Sequence, residues 1–288
     1  MYELAFIAQS ILERGLIFSL IVAGVYITSS IIKFDDLTVE GSFGIGGAVM
    51  ATALVNNIHP IIALILASIA GGLAGATTAV LHTKLKINNL ISGIVVTTGL
   101  FSISLKIASL HKDLSTTPTF FDYVPTQWSD YKALIILIPF VYCIFTLVKW
   151  FLKTEFGFLL HAVGQNPQML INLNKNPDHY LITALVMSNM LTAIAGALFV
   201  QYTGYFSIWA NVGILIISLI GLMLAQLISK KFSLALVFGA IMYQTIIMLT
   251  YELQIDQDWN KLINALLIIA LMMFNQVKTK KRKGKNHA

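Results

Sequence analysis

The chain has a single cysteine, Cys143, and it lies inside an apolar run, so no disulfide can form within the chain and a small packing residue is the expected role. Charge is nearly as scarce. Only 11% of the 288 residues are Asp, Glu, Lys or Arg, against about a quarter in soluble domains. The deficit is spread along the whole length, so one hydrophobic tail does not account for it. No GxxxxGK[ST] pattern occurs, which excludes ATP binding through a P-loop. The six histidines are scattered at 59, 82, 111, 161, 179 and 287, and none forms a Cys/His set with metal-ligand spacing. No Ser/His/Asp arrangement stands out, so neither an enzyme nor a metal centre is expected. The N-terminus "MYELAFIAQSILERG" lacks a basic stretch before its apolar residues and is not read as a cleaved signal peptide.

What the chain does have is apolar length. Hydrophobic residues make up 57% and the mean hydropathy is +0.79. Runs near the ~20 residues needed to cross ~30 Å of hydrocarbon recur throughout. Spans are expected near 15–32, 42–57, 60–81, 89–110, 132–151, 179–201, 208–228, 232–251 and 261–277, with a short interfacial helix at 3–13. The fold class is therefore all-α, a polytopic bundle of about nine spans. Residues 1–277 are expected to form one transmembrane domain and 278–288 a basic tail.

Nine spans put the termini on opposite sides. With the C-terminus in the cytoplasm, 14 of the 19 basic residues fall inside: Lys33, Lys84, Lys86, Lys149, Lys153, Lys175, Lys230, Lys231 and six of the tail. Arg14, Lys106, Lys112, Lys132 and Lys261 remain at or near the outer face. That bias sets the orientation, N-terminus out and C-terminus in. The acid-rich loop "ELQIDQDWN" then falls outside. Tyr123, Trp128, Tyr131, Tyr202, Tyr205, Trp209, Tyr251 and Trp259 gather at the outer interface, where amphipathic rings settle. The tail "KTKKRKGKNHA" is read as pinning the last helix and meeting anionic lipid, at about 1 kcal/mol per charge, rather than nucleic acid. In the third span, Gly71 and Gly75 have GxxxG spacing and are expected to pack inside the bundle.

Two stretches stand out from the apolar background. The first is "FDDLTVEGSFGIGGA", residues 34–48, with Asp35, Asp36 and Glu40 followed by four glycines. As a continuous helix it would align Lys33, Asp36 and Glu40 on one face. The glycines, at about 1 kcal/mol each in a helix interior, instead point to a break near Gly41 with Ser42 capping the helix that follows. A broken helix offers backbone N–H groups to an anion and carboxylates to a cation, which suits a zwitterion. Two readings stay open: Asp35, Asp36, Thr38, Glu40 and Ser42 line or gate a path, or they form a solvated cytoplasmic turn. The second stretch is the cytoplasmic connection at about 153–178. Turn signals "GQNP" and "NKNP" place Pro167 and Pro177 at helix starts and a short helix over 167–173, a loop built to dock something. Within the spans, Asn88, Asn89, Thr97, Thr98, Ser102, Asn189 and Thr192 can cross-link helices or line a path.

"DLTVEGSFGIGGAVMA", "LHTKLKINNLISGIVVTTGLFSISLKI", "FGFLLHAVGQNPQM" and "MSNMLTAIAGALFVQYTGYF" together resemble permease subunits of bacterial ABC importers, in the branch related to branched-chain amino acid and ribose permeases. The resemblance runs from about residue 15 to 228 and keeps the family's motif order. It implies a multi-pass inner-membrane subunit that pairs with a second permease copy. Separate ATPase subunits would hydrolyse ATP, so this chain itself would bind no cofactor. An extracytoplasmic binding protein would deliver a small polar solute, more amino acid-like than sugar-like. It also assigns the 153–180 loop as the element seated in the ATPase, with Gly157, Ala162, Gly164, Asn166 and Pro167 matching the family's loop motif. Two positions depart: His161 stands where Arg is usual, and Gln226 where Glu is usual. A mostly neutral histidine cannot make a permanent forked contact, so coupling through packing is expected. The rival reading, a stand-alone secondary transporter or channel, would call for interrupted halves with buried acids in both, and acids are nearly absent from the later spans.

Overall fold

The computed structural model describes residues 2–123, 131–228, 232–253 and 259–285. Trp128, Lys230, Lys231, most of the "ELQIDQDWN" loop and the last three residues lie outside that range. The chain is a helical bundle. Its first helix, α1 (Tyr2–Val25), continues as a π-helical turn over Tyr26–Ile31. Helices α2 (Thr38–Val55), α3 (Pro60–Thr83) and α4 (Asn89–Ala108) follow. After a short strand, β1 (His111–Asp113), come α5 (Lys132–Leu152), α6 (Glu155–Gln165), α7 (Pro167–Asn172) and α8 (Pro177–Thr203). A second strand, β2 (Tyr205–Ser207), and a 3-10 turn at Ile208–Asn211 lead into α9 (Ile214–Ile228), α10 (Phe232–Glu252) and α11 (Asn260–Lys285).

Among the described residues, eight helical stretches are long and apolar enough to cross a membrane, and Lys261–Phe274 is a shorter apolar helix. The expectation of about nine spans is met on those terms. The interfacial helix expected at 3–13 is not a separate element, because those residues are the first turns of α1. Nothing in "YELAFIAQSILERGL" breaks a helix, and the helix runs unbroken through the expected joint at residue 14.

Helix α8 is the centre of the bundle, packing most extensively along α3 and α2. Small residues make this possible. A Cβ on Gly75 would collide with the Leu185 carbonyl, and one on Gly71 with Asn189 and Ala193. The GxxxG pair thus packs inside the bundle, as its sequence suggested. At one end β1 pairs antiparallel with β2, joining the loop after α4 to the end of α8. At the other end α6 and α7 pack against the start of α8. Helix α5 lies at the periphery, with only 22% of its span buried.

Candidate functional site

The chain leaves helical geometry between Ile31 and Thr38. In the π-helical turn the Thr28 and Ser29 hydroxyls donate back to the Val25 carbonyl, at 3.2 and 2.7 Å. Side-chain bonds of this kind compete with the backbone ladder, and the ladder here widens. Ile32 N donates to Ile27 O at 3.1 Å and Phe34 N to Thr28 O at 2.9 Å. Lys33 then adopts φ 54°, which ends the helix.

The break therefore precedes Thr38 instead of falling near Gly41. Gly41, Gly44, Gly46 and Gly47 all lie within α2. Their cost to the helix is met by close packing: a Cβ at Gly41 would press on Thr97 and Leu100, one at Gly46 on the Ala193 backbone, and one at Gly44 on Asn211. Ser42 is not a cap, since the cap position is Leu37. Lys33 is exposed and makes no ion pair with Asp36.

The acids of the break separate by environment. Asp35 is exposed, whereas Asp36 is 5% exposed and bonded on both oxygens. Thr38 N–H donates to Asp36 Oδ1 at 2.9 Å and Asn189 Nδ2 to Asp36 Oδ2 at 2.8 Å. The fully buried Ser42 hydroxyl donates to Asn189 Oδ1 at 2.6 Å, closing a bridge from the break across α8 to α2. Two further ties hold the same turn. The Thr38 and Thr78 hydroxyls are 2.6 Å apart, and Thr97 Oγ1 donates to the Leu37 carbonyl at 2.8 Å.

These partners place the break inside the bundle. Helices α4 and α8 begin, and α3 ends, on one face of the molecule. At 1.5 Å per residue, Thr78 sits roughly 8 Å in from the end of α3 and Thr97 roughly 12 Å in from the start of α4. Asn189 lies about 18 Å along α8, whose first turns pack beside α6 and α7. A solvated surface turn does not have such neighbours.

Glu40, half-buried, points the other way. Its Oε1 accepts from Gly213 N–H at 2.9 Å. Gly213 has φ 93°, a conformation that favours glycine. It interrupts the expected 208–228 span between the 3-10 turn and α9. Among the described residues no cation pairs with Glu40. Asp36, Thr38, Ser42 and Asn189 thus converge, Glu40 anchors the Gly213 turn, and Asp35 stands apart. Thr78, Asn211 and Gly213 were not singled out in the sequence. Thr98, Ser102 and Lys106 are exposed on α4 and do not join the cluster.

The loop at 153–178 is two capped helices. Thr154 Oγ1 accepts from Gly157 N, Asn166 Oδ1 from Gln168 N and Asn176 Oδ1 from Asp178 N. Pro167 and Pro177 start α7 and α8. Lys175 Nζ reaches Glu155 Oε1 at 2.6 Å, tying the two ends of the loop together. Gly164 lies in α6 and not in a turn. A Cβ there would run into the Ile31 carbonyl, so α6 rests directly on the backbone just before the break. Gly157 likewise meets the Leu152 backbone. Leu159 and Leu160 are buried, and Phe156 stacks toward Phe151 and Tyr180 at 5.6 and 4.6 Å. The outward apolar residues are Phe158, Met169, Ile171 and Leu173. His161 and Ala162 are half-buried. Gln226 donates to Ser30 Oγ at 3.3 Å, linking α9 to the π-helical turn.

A membrane-spanning bundle with a polar helix break beside a pair of capped end helices is the build of a transport permease. A profile of the branched-chain amino acid transport system permease component matches residues 7–272, and the chain belongs to that family of ABC-type permeases. It is 33% identical to the tyrosine transport system permease protein of Clostridioides difficile (strain R20291), covering 91% of this chain and 89% of that one. An uncharacterized protein of Rickettsia prowazekii (strain Madrid E), RP368, is 29% identical over 94% of this chain and 96% of its own. The nucleoside ABC transporter permease protein NupC of Lactococcus lactis subsp. cremoris (strain MG1363) is 25% identical over 72% and 69%. No solved structure matches the chain at a significant level.

Proposed function

We propose that this chain is the membrane subunit of an ATP-driven importer for a small, amino acid-like solute. The observation that carries the reading is the break at residues 32–37. It lies inside the bundle, is held by Asp36 and Asn189, and is touched by α6 at Gly164. In this reading residues 32–42 line or gate the path. Glu40 is the carboxylate placed to meet an ammonium, and backbone freed by the break meets an anionic group. Helices α6 and α7 seat in a separate ATPase that supplies the hydrolysis, and Phe158, Met169, Ile171 and Leu173 provide apolar contact. A second permease copy completes the path, and an extracytoplasmic binding protein delivers the solute. The C-terminus is cytoplasmic and the N-terminus outside, supported by the 14 to 5 split of basic residues.

An amino acid is favoured over a nucleoside because the relative named for tyrosine transport is the more similar and the more fully covered. The test is reconstitution into liposomes with an ATPase and a binding protein encoded beside this chain. ATP-dependent accumulation of an amino acid, absent when the binding protein is omitted, is the expected result. Accumulation without ATP, driven by an ion gradient, would overturn the reading in favour of a secondary transporter.

A further inference from the structure

The least buried wall of the bundle carries a groove of about 530 Å³ between α5 and α10, with α1 at its floor. On α5 it is lined by Ile138, Val141, Tyr142, Phe145, Thr146 and Lys149. Their spacing, i, i+3, i+4, i+7, i+8 and i+11, is one continuous stripe of a helix. Leu234 and Val237 of α10 form the opposite wall, and Leu16 of α1 lies between. Val141 and Phe145 are buried at the back, whereas Ile138, Tyr142 and Leu234 stand exposed along the rims.

Three features say what fills it. First, the stripe crosses apolar helix: the Thr146 hydroxyl is already satisfied by the Tyr142 carbonyl at 2.8 Å, and the exposed Tyr142 ring stands at the rim, so the buried back wall is apolar. Second, the length fits one leaflet. From Ile138 to Lys149 the helix rises roughly 16 Å, against about 15 Å for half of a ~30 Å hydrocarbon core. Third, the stripe ends at Lys149, in the last turn of α5 and exposed. Among the described residues its ammonium has no ion-pair partner. A neighbouring apolar helix would leave that charge uncompensated, whereas a lipid phosphate would meet it. A void along the groove would forfeit the contacts of its lining atoms.

We propose that this groove is a binding site for an anionic phospholipid in the leaflet that receives the Lys149 end of α5. One acyl chain lies along the α5 stripe against Leu234 and Val237, and the headgroup phosphate meets the Lys149 ammonium. In the orientation proposed above this is the cytoplasmic leaflet, where anionic lipid attracts basic residues. The site itself does not depend on that orientation, because a groove read from either face binds the same lipid.

The test uses the full chain, delipidated in detergent and titrated with phosphatidylglycerol or phosphatidylcholine of identical acyl chains, with bound lipid counted by native mass spectrometry. The wild-type chain retains one phosphatidylglycerol with at least a threefold preference over phosphatidylcholine. Lys149→Gln abolishes the preference but still binds both lipids weakly. Leu234→Trp, a filling substitution at an exposed position, lowers binding of both. Each variant is checked against the wild-type melting temperature, so that misfolding is not read as lost binding. Equal retention of the two lipids by the wild type, or unchanged retention by both variants, overturns the proposal. The exposed Cys143 beside the stripe gives a second readout. Efficient oxidative dimerisation through it in membranes would show that a second copy covers α5 and would also overturn the lipid assignment.

Discussion

Gly164 of α6 lies against the carbonyl of Ile31, so close that no Cβ fits between them. Five residues later the chain reaches Asp36, whose carboxylate is bonded to Asn189 of α8. In the proposed coupling, a displacement of α6 reaches the break through this backbone contact, with no side chain in between to absorb it.

That contact gives the first expectation. Gly164→Val must push α6 away from Ile31, an overpacking of the kind that costs about 1–3 kcal/mol. The variant should insert into the membrane at normal abundance and still lose ATP-dependent uptake by tenfold or more. Uptake assays paired with immunoblots of membrane fractions check it, and full transport by the valine variant would remove α6 from the coupling path.

His161 is half-buried and has no ion pair among the described residues. His161→Ala should lower transport-coupled ATP hydrolysis less than threefold, and His161→Arg should be tolerated. Severe uncoupling by the alanine variant alone would mean that the imidazole itself makes the contact with the ATPase.

Asp36→Ala removes the acceptor of Thr38 N–H and of one Asn189 Nδ2 hydrogen, the other still donating to the Leu185 carbonyl at 2.9 Å, at a cost of about 1–3 kcal/mol for buried groups left unpaired. The melting temperature of the purified chain should fall, and Asp36→Asn, which keeps one acceptor oxygen, should fall less. Equal melting of all three proteins would show that the bridge carries no stability.

The spans and their order could be read from the sequence because run length alone marks a span, whereas α6 was not expected as a helix. So could the starts of α7 and α8, where Asn-Pro pairs supply both the cap and the first residue. The position of the break could not. Four glycines argue for a broken helix on intrinsic cost, but here they serve close approach to α4, α8 and Asn211, and packing outweighs propensity. The real signal was quieter, in the Thr28–Ser29 pair and the short "KFDDL" segment. Asn189 was visible as a polar residue in a span, yet its pairing with Asp36, 153 positions away, depends on how α8 threads the bundle. The turn at Gly213 was hidden because "SIWANVGILI" carries only a lone Asn and a lone Gly between apolar residues that continue into the span. Likewise the sequence of the 153–178 loop does not mark which apolar residues face outward, and helical phase turns Leu159 and Leu160 inward while Phe158 faces out.

Glu40 offers the most direct measurement, since it sits at the break, half-buried and bonded to Gly213. In a Cys143→Ala background, the labelling rate of Glu40→Cys by a small water-soluble thiol reagent is followed in the assembled transporter, with and without ATP. A path that opens and closes at residues 32–42 changes that rate at least threefold between the two conditions, and Glu40→Gln, which keeps the acceptor to Gly213 but not the charge, lowers uptake at normal abundance. A labelling rate indifferent to ATP, together with normal uptake by Glu40→Gln, would make the break a fixed structural knot and contradict its role in transport.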